Sequence, residues 1–295
     1  MKTSAAAPAE RAQDQPERAA EFGFQRGDFE FIATALYEDA GIHLPASKAS
    51  LVYSRLAKRL RHLGLESFRD YCALVGSSGG AEERVQMIAA LTTNVTRFFR
   101  EPHHFEHLKT KVIAPRASAI RAGGRLRIWS AGCSSGQEPF SIALAILSLI
   151  PDVRGFDVRI LGTDINPHVL DTARRGIYSP EEAASVPADL RRAWMEDAGG
   201  SLKLDDAARG LVTFRPLNLM GRWPMRGPFD AVFCRNVLIY FDEKTQARLL
   251  NRITSLLVPG GYLYLGHSER LVGPAEALFK ADGTTSYRKF GGEAQ

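Results

Sequence analysis

The run from Leu126 to Pro139, Leu-Arg-Ile-Trp-Ser-Ala-Gly-Cys-Ser-Ser-Gly-Gln-Glu-Pro, restricts the fold more than any other part of the chain. Leu126 to Trp129 has the apolar density of a buried strand, Ser130 to Gly136 is a turn of small residues, and Gln137 to about Ile150 predicts a helix. Pro139 suits a first helical turn, where a missing N–H costs nothing. Gly132 and Gly136 let the backbone bend sharply and let a ligand approach without a Cβ in the way. A strand, a glycine turn and a helix in succession place a ligand site at the carboxyl edge of an α/β sheet.

The turn lacks the third glycine of G-x-G-x-x-G, and no Lys-Ser/Thr pair follows it, so neither the dinucleotide fingerprint nor the phosphate loop is present. A turn without a phosphate cradle, joined to an acid that reads ribose hydroxyls, suits S-adenosylmethionine. Asp164 stands where that acid is needed, at the end of a second strand predicted over Val158 to Thr163. The competing reading of Asp164 is an N-cap for the helix that follows.

The 295 residues, 45% hydrophobic, suffice for a full α/β domain and a smaller companion. A net charge of +5 favours an acidic partner. Three cysteines, Cys72, Cys133 and Cys234, with no C-x-x-C spacing, point to a reducing cytoplasm. The longest apolar run, Ile142 to Ile150, falls far short of the roughly 20 residues that span a bilayer, and no secretory signal is visible. A cytoplasmic monomer without membrane insertion is the expectation.

Residues 1–22, rich in Ala, Pro and mixed charge, read as a disordered tail, and residues 23–91 as a helical domain. Its first helix carries Phe29, Ile32, Leu36 and Tyr37 at helical spacing, with Asp28 as N-cap and Gly41 as stop. Its second, from about Ser47, presents Lys48, Arg55, Lys58, Arg59 and Arg61, with no acid between Leu44 and Leu65. A solvated face is the plain explanation of such charge. The lack of any Glu partner at helical spacing favours docking on an acidic surface. Asn94, Thr96 and Arg100 flank Phe98 and Phe99 at the junction with the second domain, 92–295. His103 and His107 are spaced as a metal pair but have no evident third ligand, so no metal is expected.

In that second domain, strands are predicted at Leu126–Trp129, Val158–Thr163, Ala231–Cys234, Gly260–His267 and Thr284–Phe290, with helices between them. The alternation implies a doubly wound, mostly parallel α/β sheet. Tyr178 to Ala198 reads as polar helix, and Ser201 to Phe214 as an inserted antiparallel hairpin within a β-subdomain at about 195–216.

Five blocks in order make a specific signature: Thr-Thr-Asn-Val-Thr-Arg-Phe-Phe-Arg-Glu (92–101), Trp-Ser-Ala-Gly-Cys-Ser-Ser-Gly-Gln-Glu-Pro-Phe-Ser (129–141), Gly-Thr-Asp-Ile (162–165), Phe-Cys-Arg-Asn-Val-Leu-Ile-Tyr-Phe (233–241) and Gly-His-Ser-Glu (266–269). With these blocks the chain, from about Phe24 to Phe290, resembles the CheR family of chemotaxis receptor methyltransferases. The resemblance implies a Rossmann-like class I methyltransferase sheet, a small N-terminal all-α domain and an inserted β-subdomain. It implies that S-adenosylmethionine is held by Asn94, Thr96, Arg100, Glu138, Asp164, Asn218, Leu219, Arg235 and Asn236. It also implies methyl transfer to receptor glutamates, giving 5-O-methyl esters. In some members the β-subdomain grips a C-terminal pentapeptide of the receptor; the acidic Asp205-Asp206 turn gives no basis for expecting that here.

A glutamate carboxylate, with a pKa of about 4.3, is already ionised at neutral pH and needs no general base. The protein then supplies alignment. Arg100 and Tyr240 are the candidate catalytic residues: Arg100 either binds the cofactor carboxylate or steers the acceptor, and Tyr240 lies near the transfer site or is a strand-end core aromatic. The basic helix is expected to dock, through Lys48, Arg55, Lys58 and Arg59, on the helical cytoplasmic bundle of the receptor.

The sequence carries features of two rival classes. Gly132-Cys-Ser-Ser-Gly136 also matches the G-x-S-x-G nucleophile elbow of serine hydrolases, with His267 downstream. A nucleic-acid methyltransferase would use the basic helix, but few aromatics accompany it for base stacking.

Overall fold

A computed structural model describes residues 21–291. The expected tail lies outside the described residues up to position 20. Its last two residues belong to the fold: Phe22 is buried edge-on against Phe68, and Glu21 pairs with Arg61 at 2.7 Å.

The helical domain contains α1 (Arg26–Ala40), α2 (Ala49–Leu63), α3 (Phe68–Gly76) and α4 (Ala81–Leu91). Asp28 does not cap α1 from outside. It sits in the first turn and accepts the Gln25 N–H at 2.8 Å, while the Gln25 side chain caps from the N-cap position. On α2, Val52, Leu56 and Leu60 recur every fourth residue and are fully buried. They share one core with Trp129, Val232 and Leu263 of the sheet, so the helical domain is packed onto one sheet face rather than tethered beside it.

Among the described residues ten strands follow: β1 (Leu126–Ala131), β2 (Val158–Asp164), β3 (Ile177–Tyr178), β4 (Met195–Asp197), β5 (Leu202–Leu204), β6 (Val212–Pro216), β7 (Phe229–Cys234), β8 (Leu257–Leu265), β9 (Phe279–Ala281) and β10 (Ser286–Lys289). Seven form the main sheet in the order β6-β2-β1-β7-β8-β10-β9. The first five of that order are parallel, and β10 and β9 close the sheet antiparallel. Helix Gln137–Leu147 is buried along nearly its whole length on the face opposite the helical domain, in a second core with Ile128, Ile160 and Phe233. Alternate residues of β1 therefore serve different cores, Ile128 one and Trp129 the other.

The inserted hairpin is not formed. Its second half, β6, pairs parallel with β2 at the edge of the main sheet. Its supposed turn is the short helix Asp206–Leu211, capped by Asp205, which accepts the Ala207 N–H at 2.6 Å. The β-subdomain is instead a separate antiparallel sheet, β3-β5-β4, drawn from residues 177–204 rather than 195–216. The stretch read as helix over Tyr178–Ala198 supplies two of its strands around the helix Ala188–Trp194. Short strands with mixed polarity have too little period-2 pattern to declare themselves. Among the described residues no helix is long and apolar enough to cross a membrane.

Candidate active site

The carboxyl ends of β1, β2 and β7 and the interdomain linker 92–100 enclose an open cavity of about 550 Å³, in the range of small-molecule sites. The turn after β1 is fixed by sterics first. Gly132 and Gly136 hold φ of 75° and 95°, and a Cβ on Gly132 would stand 2.5 Å from Val237. The turn is then tied down by polar contacts. Asp164, at the end of β2, accepts the Ser134 N–H at 2.8 Å with one oxygen and the Asn166 N–H at 2.9 Å with the other. Asp164 also lines the cavity, and a carboxylate has more acceptor sites than these two bonds use. Burial raises the Asp164 pKa, opposed by the main-chain N–H groups of Asn166 and Ser134.

The loop after β7 is held by an acid that sequence reasoning left without a role. Glu269 is buried and accepts the main-chain N–H groups of Asn236 (2.8 Å), Leu238 (2.7 Å), Ile239 (3.3 Å) and Gly266 (2.6 Å). The only trace of this in the sequence was the Gly-His-Ser-Glu block. Arg235, buried in the same loop, donates to Glu138 at 3.1 Å and to the Arg100 carbonyl, and lies 3.4 Å from Glu101. Glu138 also accepts the Ser130 hydroxyl at 2.7 Å. Burial pushes the Glu138 pKa up, with Arg235 and Ser130 opposing it.

The linker is clamped from both domains. Arg55 of α2 donates to the carbonyls of Ala90 (3.3 Å), Leu91 (2.8 Å) and Thr92 (2.9 Å) and to the Thr93 hydroxyl (2.9 Å). Tyr240 donates to the Thr93 carbonyl at 2.9 Å, and Ser134 to the Asn94 carbonyl at 2.8 Å. Burial raises the Tyr240 pKa, which keeps its hydroxyl a donor.

Asn94, Thr96, Arg100, Glu138, Asp164, Asn218, Leu219, Arg235, Asn236 and Tyr240 all line this one cavity. The Asn218 side chain is occupied elsewhere: its amide donates to the Asp39 carbonyl and its oxygen accepts the Met220 N–H at 2.9 Å. The docking expectation needs correction at two positions. Arg55 is spent on the linker, and Arg59 makes a two-pronged bond to Glu83 at 3.0 and 2.6 Å. Their partners are remote in sequence, so a search at i+4 could not see them. Lys58 on α2 and Lys48 just before it remain exposed.

The serine-hydrolase geometry is not built. Ser134 donates to a carbonyl, and His267 faces Glu101 at 3.4 Å. His103 and His107 do not form a metal pair, because His107 uses both ring nitrogens, on Tyr264 and on the Asp282 carbonyl. Glu101, His103 and His104 bring ligand-type atoms within 4.8 Å of one another, but a guanidinium nitrogen of Arg235 already lies beside Glu101.

The donor set fits S-adenosylmethionine. A buried carboxylate, Asp164, and a partly buried one, Glu138, would repel a phosphate but suit ribose hydroxyls and a cationic group, and Arg100 offers an anchor for a carboxylate.

Residues 94–287 match the family model described as "CheR methyltransferase, SAM binding domain", and residues 27–92 match "CheR methyltransferase, all-alpha domain". The chain is 51% identical to a probable chemotaxis protein methyltransferase of Rhizobium etli, over 86% of this chain and 96% of that protein. It is 43% identical to chemotaxis protein methyltransferase 2 of Pseudomonas aeruginosa, over 90% and 94% of the two chains. The chemotaxis protein methyltransferase of Escherichia coli is 40% identical over 88% and 89%. A glycine turn pinned by a strand-end acid, a helical domain packed on the sheet and these matches across most of the chain agree: the protein belongs to the CheR family of S-adenosylmethionine-dependent methyltransferases.

Proposed function

We propose that the protein transfers a methyl group from S-adenosylmethionine to the side-chain carboxylate of glutamates on the helical cytoplasmic bundle of chemotaxis receptors, forming 5-O-methyl esters. The observation that carries this reading is the state of the ionisable groups around the cavity. Glu138 and Asp164 are committed to Arg235, Ser130 and main-chain N–H groups, and Tyr240 is a proton donor. Such a site suits an acceptor that arrives already ionised. The bound donor supplies a methyl group carried on a positively charged sulfur.

The chain's own contribution is positioning. Asp164 offers acceptor lone pairs to ribose hydroxyls, and Glu138 offers one to the donor's amino group. Asn94, Thr96, Leu219 and Asn236 complete the pocket wall. Arg235 acts through Glu138, which it orients, and Asn218 through the main chain it holds. Arg100 neutralises a carboxylate, either the donor's or the acceptor's, while Tyr240 fixes the linker beside the transfer point. Lys48, just before α2, and Lys58 on it face the acidic receptor from the cytoplasmic side.

The test is tritiated methyl transfer from the donor into receptor-bearing membranes. Counts released by mild base as methanol are expected. Base-stable counts would assign the protein another acceptor. Reversing Lys48 and Lys58 to Glu should lower the transfer rate and leave donor affinity unchanged; an unaltered rate removes α2 from the docking surface.

A further inference from the structure

We propose that Val95, Arg97 and Ile239 form a lip that selects the acceptor: a helix whose target carboxylate has an aliphatic side chain about one turn away on the same face, the roughly 5–6 Å spacing of neighbours on a helix surface. This rests on the carboxylate-methyltransferase reading above.

Val95 is 79% exposed and Ile239 53% exposed, and both border the cavity mouth. Single exposed aliphatics need no explanation, but these two stand on adjoining segments. The Tyr240–Thr93 hydrogen bond joins the linker to the 238–240 turn. Neither is exposed because its loop is loose. The main chain around Val95 is held by the Ser134 hydroxyl on Asn94 and by Arg100 on the Val95 carbonyl at 3.3 Å. Ile239 is held by Glu269. β-Branched side chains on fixed backbone have little freedom left to lose when covered. The fold thus spends rigid support on presenting apolar surface to water at the one place where a macromolecular acceptor must touch.

The charge at the mouth points the same way. Among the described residues no carboxylate lies within ion-pair distance of Arg97 or Arg100, whereas Arg59, Arg61 and Arg235 are each matched by an acid. Arg97 is exposed and borders both the main cavity and a second recess of about 340 Å³ lined by Phe98, Phe99 and Leu190. A guanidinium on that ridge meets an approaching carboxylate before Arg100 does. The aliphatic pair then covers the neighbouring turn of the acceptor helix.

The test uses the full chain and receptor-bearing membranes, with donor affinity measured separately by calorimetry. Val95→Asp and Ile239→Asp are expected to raise the KM for membranes about tenfold, with kcat and donor Kd within about twofold. Arg97→Glu should do the same and flatten the salt dependence of kcat/KM, and Arg97→Lys should restore most of the loss. All three sites are exposed, so folding is not at stake. An active wild type with unchanged KM in the variants overturns the lip alone. Weakened donor binding in the variants also overturns it, by assigning these side chains to the donor pocket. A wild type that deposits no base-labile methyl removes the carboxylate reading and the lip together.

Discussion

Two loops at the carboxyl edge of the sheet solve the same problem with different economy. The turn after β1 and the loop after β7 both present main-chain N–H groups that lack partners in regular structure: a buried Asp164 accepts Ser134 in the first, besides Asn166 in its own loop after β2, and a buried Glu269 accepts Asn236, Leu238 and Ile239 in the second, besides Gly266 after β8. Glu269 takes four N–H groups and does not line the cavity, so it is a positioning residue. Asp164 takes the Ser134 and Asn166 N–H groups, one per oxygen, with the Ile165 N–H also acting on it, and it lines the cavity. Glu269 has each oxygen taken twice by main-chain N–H groups and stays off the cavity, while Asp164 serves the neighbouring turn and the cavity together. Within this site, reaching the cavity wall, as Asp164 does and Glu269 does not, separates binding from support.

The largest expected effect comes from emptying the saturated partner. Glu269→Ala leaves four main-chain N–H groups without their acceptor, at about 1–3 kcal/mol for each that stays buried and unpaired. Chemical denaturation should show a loss of several kcal/mol; an unshifted midpoint would break the contrast at once. Asp164→Asn should behave in the opposite sense. Its stability change is expected to be small beside a loss of donor affinity of roughly 1.5–3 kcal/mol from the missing charge-assisted bond. Calorimetry that finds affinity intact would return Asp164 to a purely supporting role.

The pH dependence sharpens the same distinction. Burial raises the Asp164 and Glu138 pKa values above their ordinary 3.8 and 4.5. As pH falls through those raised values the carboxylates protonate and lose acceptor capacity, so donor affinity should fall at a pH above the ordinary carboxylate range. The folded state binds these two protons more tightly than the unfolded chain does, so their contribution to stability rises over that window. Affinity and stability measured side by side should therefore diverge as pH is lowered from the raised toward the ordinary values. A parallel decline would show that other groups govern both.

The smallest effect is expected at the linker. Arg55→Ala frees three carbonyls and a hydroxyl at the half-buried end of α4, where water can replace some of the lost bonds. A cost of about 1–2 kcal/mol in stability is expected, with a modest fall in donor affinity through displacement of Asn94 and Thr96. If affinity is untouched while receptor methylation collapses, Arg55 is a docking residue after all.

Much of this architecture was legible because it rests on local chemistry. The glycine turn, the acid at the end of β2 and the helix stop at Gly41 each follow from a few adjacent residues. The rest depends on partners distant in the chain. Nothing near Arg55 or Arg59 in sequence announces carbonyls at 90–92 or an acid at 83. The acceptor role of Glu269 needs β7 and β8 side by side, with the Asn236 loop and Gly266 at their carboxyl ends. The misplaced hairpin had a local clue that was overlooked: Asp205 before Asp206-Ala-Ala-Arg-Gly-Leu is an N-cap and a short helix, not a turn between paired strands.

That crossover has a use for anyone who would re-engineer the molecule. The Gly176 carbonyl accepts the Leu204 N–H at 2.9 Å, so the excursion carrying β3, β4 and β5 leaves and returns at a single point. Between those anchors Ala183, Val186 and Met195 are buried in the second core, so the exposed turn at Gly199 and Gly200 is where the chain can be lengthened without pulling on β2 or β6. Among the ties to preserve are the Tyr178 hydroxyl, which donates to the Ser135 carbonyl at 2.7 Å beside the glycine turn, and the Ser185 hydroxyl, which donates to the Phe98 carbonyl at 2.9 Å.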